Sequence, residues 1–336
     1  NPMDVVLDRL GRPLRDLRIS VTDRCNFRCR YCMPREEFGK SHDFIPKTEI
    51  LSYEEITNFV KACEPLGLRK VRITGGEPLL RKDIHHLVRQ LSSMDMEVAL
   101  TTNGSLLENN AADLAESGLS RVTISLDAID QEVHSKITDS KVSVTDILDG
   151  ISAAIRYELG PVKINCVVQR GVNEHQIPKL VRKFRGTGVI VRFIEFMDVG
   201  STNGWTQGQV VPTSEIIDFL SSEFDLIPLA RKSASDVASR WAHSDDSGEI
   251  GFISSVSQPF CGDCVRARLS SDGKFFTCLF TTTGHDMSAL IKSGGKTEVL
   301  TQSIEEVWSA RKDRYSEERT SVAISLPRVE MSYIGG

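Results

Sequence analysis

Residues 17–34 read LRISVTDRCNFRCRYCMP. The first half alternates apolar and polar side chains, the period of a β-strand with one buried face. The second half sets Cys25, Cys29 and Cys32 in a C-x3-C-x2-C spacing just past that strand. Three thiolates suit a soft metal, either zinc or iron in an iron–sulfur cluster. A structural zinc site wants a closed set of four ligands. No fourth ligand is at hand, because the next histidine is His42 and the next cysteine is Cys63. A strand that runs straight into an incomplete metal site sets the frame for the rest of the chain.

Outward from this stretch the same alternation returns. Strands are predicted at 17–23, 70–76, 97–103, 121–127, 162–169 and 189–196, with amphipathic segments between them. The segment 52–66 opens with Ser52 and carries Glu55 three places on, a capping box. The segment 144–158 gathers Ile147, Leu148, Ile151, Ala154 and Ile155 on one face and stops near Gly160. Such β–α alternation predicts an α/β fold with a parallel sheet and right-handed crossovers. Eight units would close a TIM-type barrel. Here the pattern breaks near residue 200, so a partial (β/α)6 barrel of TIM type with an additional C-terminal domain is expected. The divisions expected are an N-terminal extension 1–13, a barrel core 14–230 and a C-terminal domain 231–336.

Parallel strands covered on both sides usually read as unbroken apolar runs. These do not. One parity holds Leu17, Ile19, Val71, Ile73, Val122, Ile124, Ile164 and Cys166, and must face the helices. The other holds Arg18, Lys70, Arg72, Thr101, Asn103, Ser125, Lys163, Asn165 and Arg192. Unpaired charges inside a dry barrel would cost several kcal/mol each. The interior is therefore expected to be open, wet, cationic and built for an anion. Gly75, Gly76, Glu77 and Pro78 end the second strand, at the barrel end where sites collect.

Composition narrows the partners. With 26% charged residues and a net charge of -5, the chain is not a general nucleic-acid binder. It has no apolar run of about 18 residues and no signal-peptide pattern, which predicts no membrane partner and a cytoplasmic location. Eight cysteines in such a chain suggest metal chemistry more than disulfides. Cys63 and Cys166 fall on apolar stripes and read as core. Cys261, Cys264 and Cys278 form a second triplet, C-x2-C-x13-C, followed by Arg266 and Arg268. By spacing alone zinc competes there, with His243 or His285 as a fourth ligand. The charged run 311–319 reads as a solvated helix, and Asp127 as a helix cap.

The first triplet, with Tyr31 before Cys32, the GGEP turn and the six-fold β–α pattern, resembles the radical S-adenosylmethionine family. That resemblance implies a 4Fe–4S cluster whose fourth iron is chelated by S-adenosylmethionine, the source of a 5'-deoxyadenosyl radical. The motifs LRDLRISVTDRCNFRCRYCMP, RITGGEPLLR, LTTNG, SLDAID, RFIEFMDVG, CVRARLSSDGK and the closing YIGG are, over nearly the whole chain, similar to the GTP 3',8-cyclase family of molybdenum cofactor biosynthesis.

This second resemblance implies another 4Fe–4S cluster at Cys261, Cys264 and Cys278, where guanine would bind. It implies GTP contacts from Arg18, Arg72, Thr101, Lys163, Arg266 and Arg268, with Lys70 and Arg192 on the triphosphate. It assigns Tyr31, Gly76, Ser125 and Met197 to S-adenosylmethionine, and brings the tail residues Gly335 and Gly336 to the active site. The partners implied are GTP, an external low-potential electron donor, a downstream cyclic pyranopterin monophosphate synthase and, in some members, a second copy in a homodimer. Another radical enzyme with an auxiliary cluster, or a non-enzymatic iron–sulfur or zinc protein, are the alternatives.

Overall fold

The computed structural model describes residues 5–319 and 326–336, so residues 1–4 of the N-terminal extension and residues 320–325 lie outside the description. The alternation becomes six parallel strands in sequence order: β1 (Asp16–Ser20), β2 (Lys70–Thr74), β3 (Glu97–Thr102), β4 (Arg121–Ser125), β5 (Lys163–Val168) and β6 (Ile190–Glu195). Each is shorter than its alternating stretch because the last residues of the stretch leave the ladder to form the site.

Past residue 200 the chain returns to both edges of this sheet. Strand β9 (Glu249–Ile253) adds parallel to β6, and β10 (Arg266–Leu269) adds parallel to β1. β7 (Leu226–Leu229) and β8 (Ser239–His243) extend one edge antiparallel, and β11 (Lys274–Phe276) and β12 (His285–Asp286) the other. The result is a single twelve-stranded sheet whose end strands, β12 and β7, are not paired with each other. The expected partial barrel is present, and its β10 and β9 flanks come from the C-terminal third.

The outer face is the core. Leu17, Ile19, Val71, Ile73, Val122, Ile124 and Ile164 are fully buried against Phe59, Leu107, Ile147 and other helix residues. Each such side chain contributes about 1.5–3 kcal/mol. Helix α1 (Tyr53–Cys63) starts with the expected capping box: Ser52 Oγ accepts from Glu55 N–H, and the Glu55 carboxylate accepts from Ser52 N–H. Cys63 and Cys166 are fully buried core residues.

Register gathers the inner face. Arg18 on β1 lies opposite both Arg72 on β2 and Arg268 on β10, and Asp16 lies opposite Lys70 and Arg266. Neighbouring like charges on one face destabilise a sheet. The placement therefore serves something other than the fold.

Candidate active site

The inner faces enclose a cavity of ≈ 780 Å³ lined by Arg18, Lys70, Arg72, Lys163, Arg192, Arg266 and Arg268. Arg72 Nη1 donates to Thr101 Oγ1 and Thr123 Oγ1, each at 3.2 Å, and Arg192 Nε donates to Asn165 Oδ1 at 2.9 Å. Arg18 Nε is buried with no hydrogen-bond partner among the described residues. Burial first, and then the neighbouring cations, push Lys70 and Lys163 down to about 8. The same causes bring Arg192 to about 9 and Arg268 to about 10. A polyanion with charge-assisted hydrogen bonds would relieve that repulsion. Arg121 and Arg240 also line the cavity, paired with Glu97 and Glu249, and nothing in the local sequence singles out either one.

At one part of the cavity sits the first triplet. The loop carrying it is pinned by backbone bonds, Gly76 N–H to Thr22 C=O and Glu77 N–H to Arg24 C=O, both 2.8 Å. A Cβ on Gly76 would lie 2.3 Å from the Arg24 carbonyl, so only glycine allows the approach. Glu77 is buried and accepts from Leu79 N–H, Thr102 Oγ1 and Asn103 N–H at 2.6–3.1 Å, which ties the ends of β2 and β3 together. Arg28 holds the loop from within, donating to the carbonyls of Cys25, Phe27 and Phe38.

Cys25, Cys29 and Cys32 are half-buried and free, and all three line the cavity with Gly76, Ser125 and Met197. Burial, and then nearby negative groups, push Cys25 up to about 11 and Cys32 to about 12. Tyr31 also lines the cavity, and its hydroxyl donates to Asp127 Oδ2 at 2.6 Å. Asp127 Oδ1 accepts from Val167 N–H. Asp127 is therefore no helix cap: it faces the cavity and anchors the cysteine loop.

The second triplet flanks the β10–β11 hairpin, with Cys261 and Cys264 just before β10 and Cys278 just after β11. Cys261, Cys264 and Cys278 are half-buried, free and line the same cavity. Here the surroundings are cationic. Burial would raise Cys264, but Arg266 and then Arg311 outweigh it, and the thiol falls below its usual value. Arg311 Nη2 donates to Cys264 Sγ at 3.2 Å. His243 is buried on β8 with its ring 5.6 Å from that of Phe224, and His285 is exposed on β12, so neither lines the cavity as a fourth ligand would.

The run 311–319 also departs from expectation. It forms turns, not a helix, and Arg311 is buried. Asp198, next to Met197, accepts from Tyr315, Arg319 and Arg328, which fastens the loop after β6 to the C-terminal segment. Lys312, Arg314, Glu317 and Glu318 are exposed as the local charge density suggests, whereas Arg311 and Arg319 find partners more than a hundred residues away, at Asp8 and Asp198.

The tail lies against the ends of β1 and β2, at Ser20 and Thr74. Arg268 donates to the Gly335 carbonyl, and Gly336 lines the cavity. Gly335 has φ +80°, and a Cβ there would lie 2.0 Å from Thr74 Oγ1.

The donor set fits iron–sulfur clusters: six free thiols in two groups of three, each open to one cavity. Among the described residues no three His, Cys, Asp or Glu side chains converge on a point where a single metal ion would sit. Thiolates that each serve a different iron need no such convergence. No helix of the described residues is long and apolar enough to cross a membrane.

Comparison with known proteins agrees with this geometry. Residues 19–184 match the Radical SAM superfamily, and residues 189–317 match Molybdenum Cofactor Synthesis C. Among solved structures, Streptococcus suis SuiB bound to S-adenosylmethionine superposes with a TM-score of 0.60 at 14% identity, over 96% of this chain and 73% of that one. SuiB bound to precursor peptide SuiA gives 0.61 at 15%, over 92% and 67%. At such identity the likeness concerns the fold. Fold and cysteine loop together define a radical S-adenosylmethionine enzyme.

Curated relatives are nearer in sequence. A GTP 3',8-cyclase of Staphylococcus epidermidis is 46% identical over 99% of both chains. One of Acidothermus cellulolyticus is 46% identical over 98% of this chain and 99% of its own. One of Staphylococcus aureus is 44% identical over 99% and 100%. The chain belongs to the GTP 3',8-cyclase family. Its cofactors are S-adenosylmethionine and two 4Fe–4S clusters.

Proposed function

We propose that this enzyme converts GTP into (8S)-3',8-cyclo-7,8-dihydroguanosine 5'-triphosphate, an early step of molybdenum cofactor biosynthesis. The observation that carries the reading is one cationic cavity reached by both cysteine triplets. Cys25, Cys29 and Cys32 would hold the first cluster, and Tyr31, Gly76, Ser125 and Met197 would hold S-adenosylmethionine. Cys261, Cys264 and Cys278 would hold the second cluster beside the guanine. When bound, the first cluster and S-adenosylmethionine supply radical hydrogen abstraction.

The chain's own contribution is positioning and charge. Arg18, Lys70, Arg72, Lys163, Arg192, Arg266 and Arg268 grip the triphosphate and base, with Thr101 held ready by Arg72. Ribose C3' loses its hydrogen, C3' bonds to guanine C8, and one electron and one proton complete the dihydro product. Reacting atoms must be held within about 3–3.5 Å for this, which the anchoring of GTP at both ends supports. Gly335 and Gly336 would approach the reacting centre. We further infer an external low-potential donor, a cyclic pyranopterin monophosphate synthase as consumer of the product, a cytoplasmic location and a homodimer. The divisions 1–13, 14–230 and 231–336 complete the proposal.

The test is an anaerobic assay of the reconstituted chain with GTP, S-adenosylmethionine and reductant. It should yield 5'-deoxyadenosine and a product that is an isomer of GTP, equal to it in mass. No 5'-deoxyadenosine above a GTP-free control would overturn the substrate assignment.

A further inference from the structure

Behind the second triplet, outside the cavity, lies a buried ion cluster. Asp8, Arg12 and Arg311 are 6%, 2% and 4% exposed. Asp8 Oδ2 accepts from Arg12 Nε at 2.7 Å and from Arg311 Nη1 at 3.2 Å. Asp8 Oδ1 accepts from the N–H groups of Leu10 and Arg12, both at 2.9 Å. The two guanidiniums then reach the cysteine segments. Arg12 Nη1 donates to the Cys261 carbonyl at 2.7 Å. Arg311 Nη1 donates to the Cys264 carbonyl at 2.8 Å, and its Nε to the carbonyl of Thr277, the residue before Cys278, at 3.0 Å. One contact is to sulfur: Arg311 Nη2 to Cys264 Sγ, 3.2 Å. Trp308 lies under the Arg311 guanidinium at 4.4 Å and donates its own N–H to the Arg12 carbonyl.

The charges do not balance within the cluster. Two guanidiniums share one fully buried carboxylate. Asp313, the next one, has its side chain 37% exposed, pairs with Arg311 Nε only at 3.7 Å, and its Oδ2 accepts from Thr277 Oγ1. Buried charge needs a counter-charge. Arg12 Nη2 is buried with no partner among the described residues, and Arg311 Nη2 points at Cys264, whose thiolate would supply the counter-charge. A structural arginine satisfied by carbonyls has no need of a sulfur contact. A charge-assisted N–H···S bond draws electron density from the thiolate, and hydrogen bonds to ligand sulfur set a cluster's reduction potential.

We propose that Arg311, fixed by Asp8 and working beside Arg12, is a positioning residue of the second cluster. It orients the Cys264 ligand, and its hydrogen bond to Sγ raises the cluster's reduction potential. The N-terminal extension is thereby part of the second site. The inference rests on the reading of Cys261, Cys264 and Cys278 as cluster ligands.

The test isolates the second cluster in the full-length chain with Cys25, Cys29 and Cys32 all changed to Ala, reconstituted without oxygen. Failure of the underlying reading is visible at once, because this parent would not hold about four irons. With the irons present, Arg311→Lys and Arg311→Met are each expected to lower the midpoint potential, Met more than Lys, and Asp8→Asn to raise it. Variants that hold the same iron and titrate at the parent's potential overturn the proposal. One check needs no stable variant. With arginine nitrogens isotopically labelled, pulsed electron paramagnetic resonance of the reduced parent should show a guanidinium nitrogen coupled to the cluster, weakened in Arg311→Lys. A spectrum without that coupling overturns the proposal equally.

Discussion

The two cysteine triplets use the same three-thiol grammar, and their surroundings part company at Cys264. In the first, burial and then negative neighbours, Glu77 at Cys25 and Asp127 among those at Cys32, push Cys25 up to about 11 and Cys32 to about 12. In the second, Arg266 and Arg311 hold Cys264 below its usual value against burial, while burial and then Asp313 push Cys278 up to about 12. Negative neighbours oppose adding an electron to a cluster, and positive neighbours favour it. Clusters held at these two triplets would therefore meet different electrostatic surroundings within one cavity. The difference lies less in the ligands than in what stands behind them.

The sharpest break removes one triplet at a time. Cys29→Ala is expected to end both 5'-deoxyadenosine formation and cyclisation, down to the enzyme-free control. Cys264→Ala should still cleave S-adenosylmethionine but lose the cyclised product. Equal loss of both products in the two variants, measured by chromatography and mass analysis, would erase the distinction between the sites.

Smaller effects probe the space between them. Arg72→Met removes a buried guanidinium held by Thr101 and Thr123. A charged hydrogen bond is worth about 1.5–3 kcal/mol, so GTP should bind about 10–150-fold more weakly by calorimetry. Gly335→Ala forces a side chain into Thr74 at a left-handed backbone position. The strain of about 1–3 kcal/mol should cut cyclisation about tenfold while sparing GTP affinity, and a normal product yield would remove the tail from the site.

The smallest effect is titration. Lys70 and Lys163 sit near 8 in the cavity, below the ordinary lysine value. They lose charge as pH rises through that value, while bound triphosphate favours the charged form. GTP affinity should therefore fall from pH 7.5 to 9.5, by at most about tenfold for each pKa unit by which bound triphosphate raises a lysine. Binding in that window should take up protons, seen as a dependence of the calorimetric heat on buffer.

All six barrel strands and the inward set of cations were legible, because alternation is a local signal that each strand carries in itself. The return of β9 and β10 to the sheet edges was not, since EIGFI and RARL pair with strands far away and look like any short strand. Asp127 lies next to a helix and reads as its cap, yet its partners Tyr31 and Val167 come from other loops. Arg311 sits in a run that looks solvated, and only the N-terminal Asp8 reveals why it is buried. Long-range pairing leaves no periodic trace.

The docking of β10 against β1 has a bearing on how the chain is made. Residue 16 emerges from the ribosome long before its partner at residue 266. At roughly 5–20 residues per second of synthesis, that edge of the sheet waits tens of seconds for its neighbour. An unpaired strand edge invites pairing with other chains. The nascent first strand is thus an edge open to wrong partners, and a slow stretch of translation before residue 266 would lengthen the exposure.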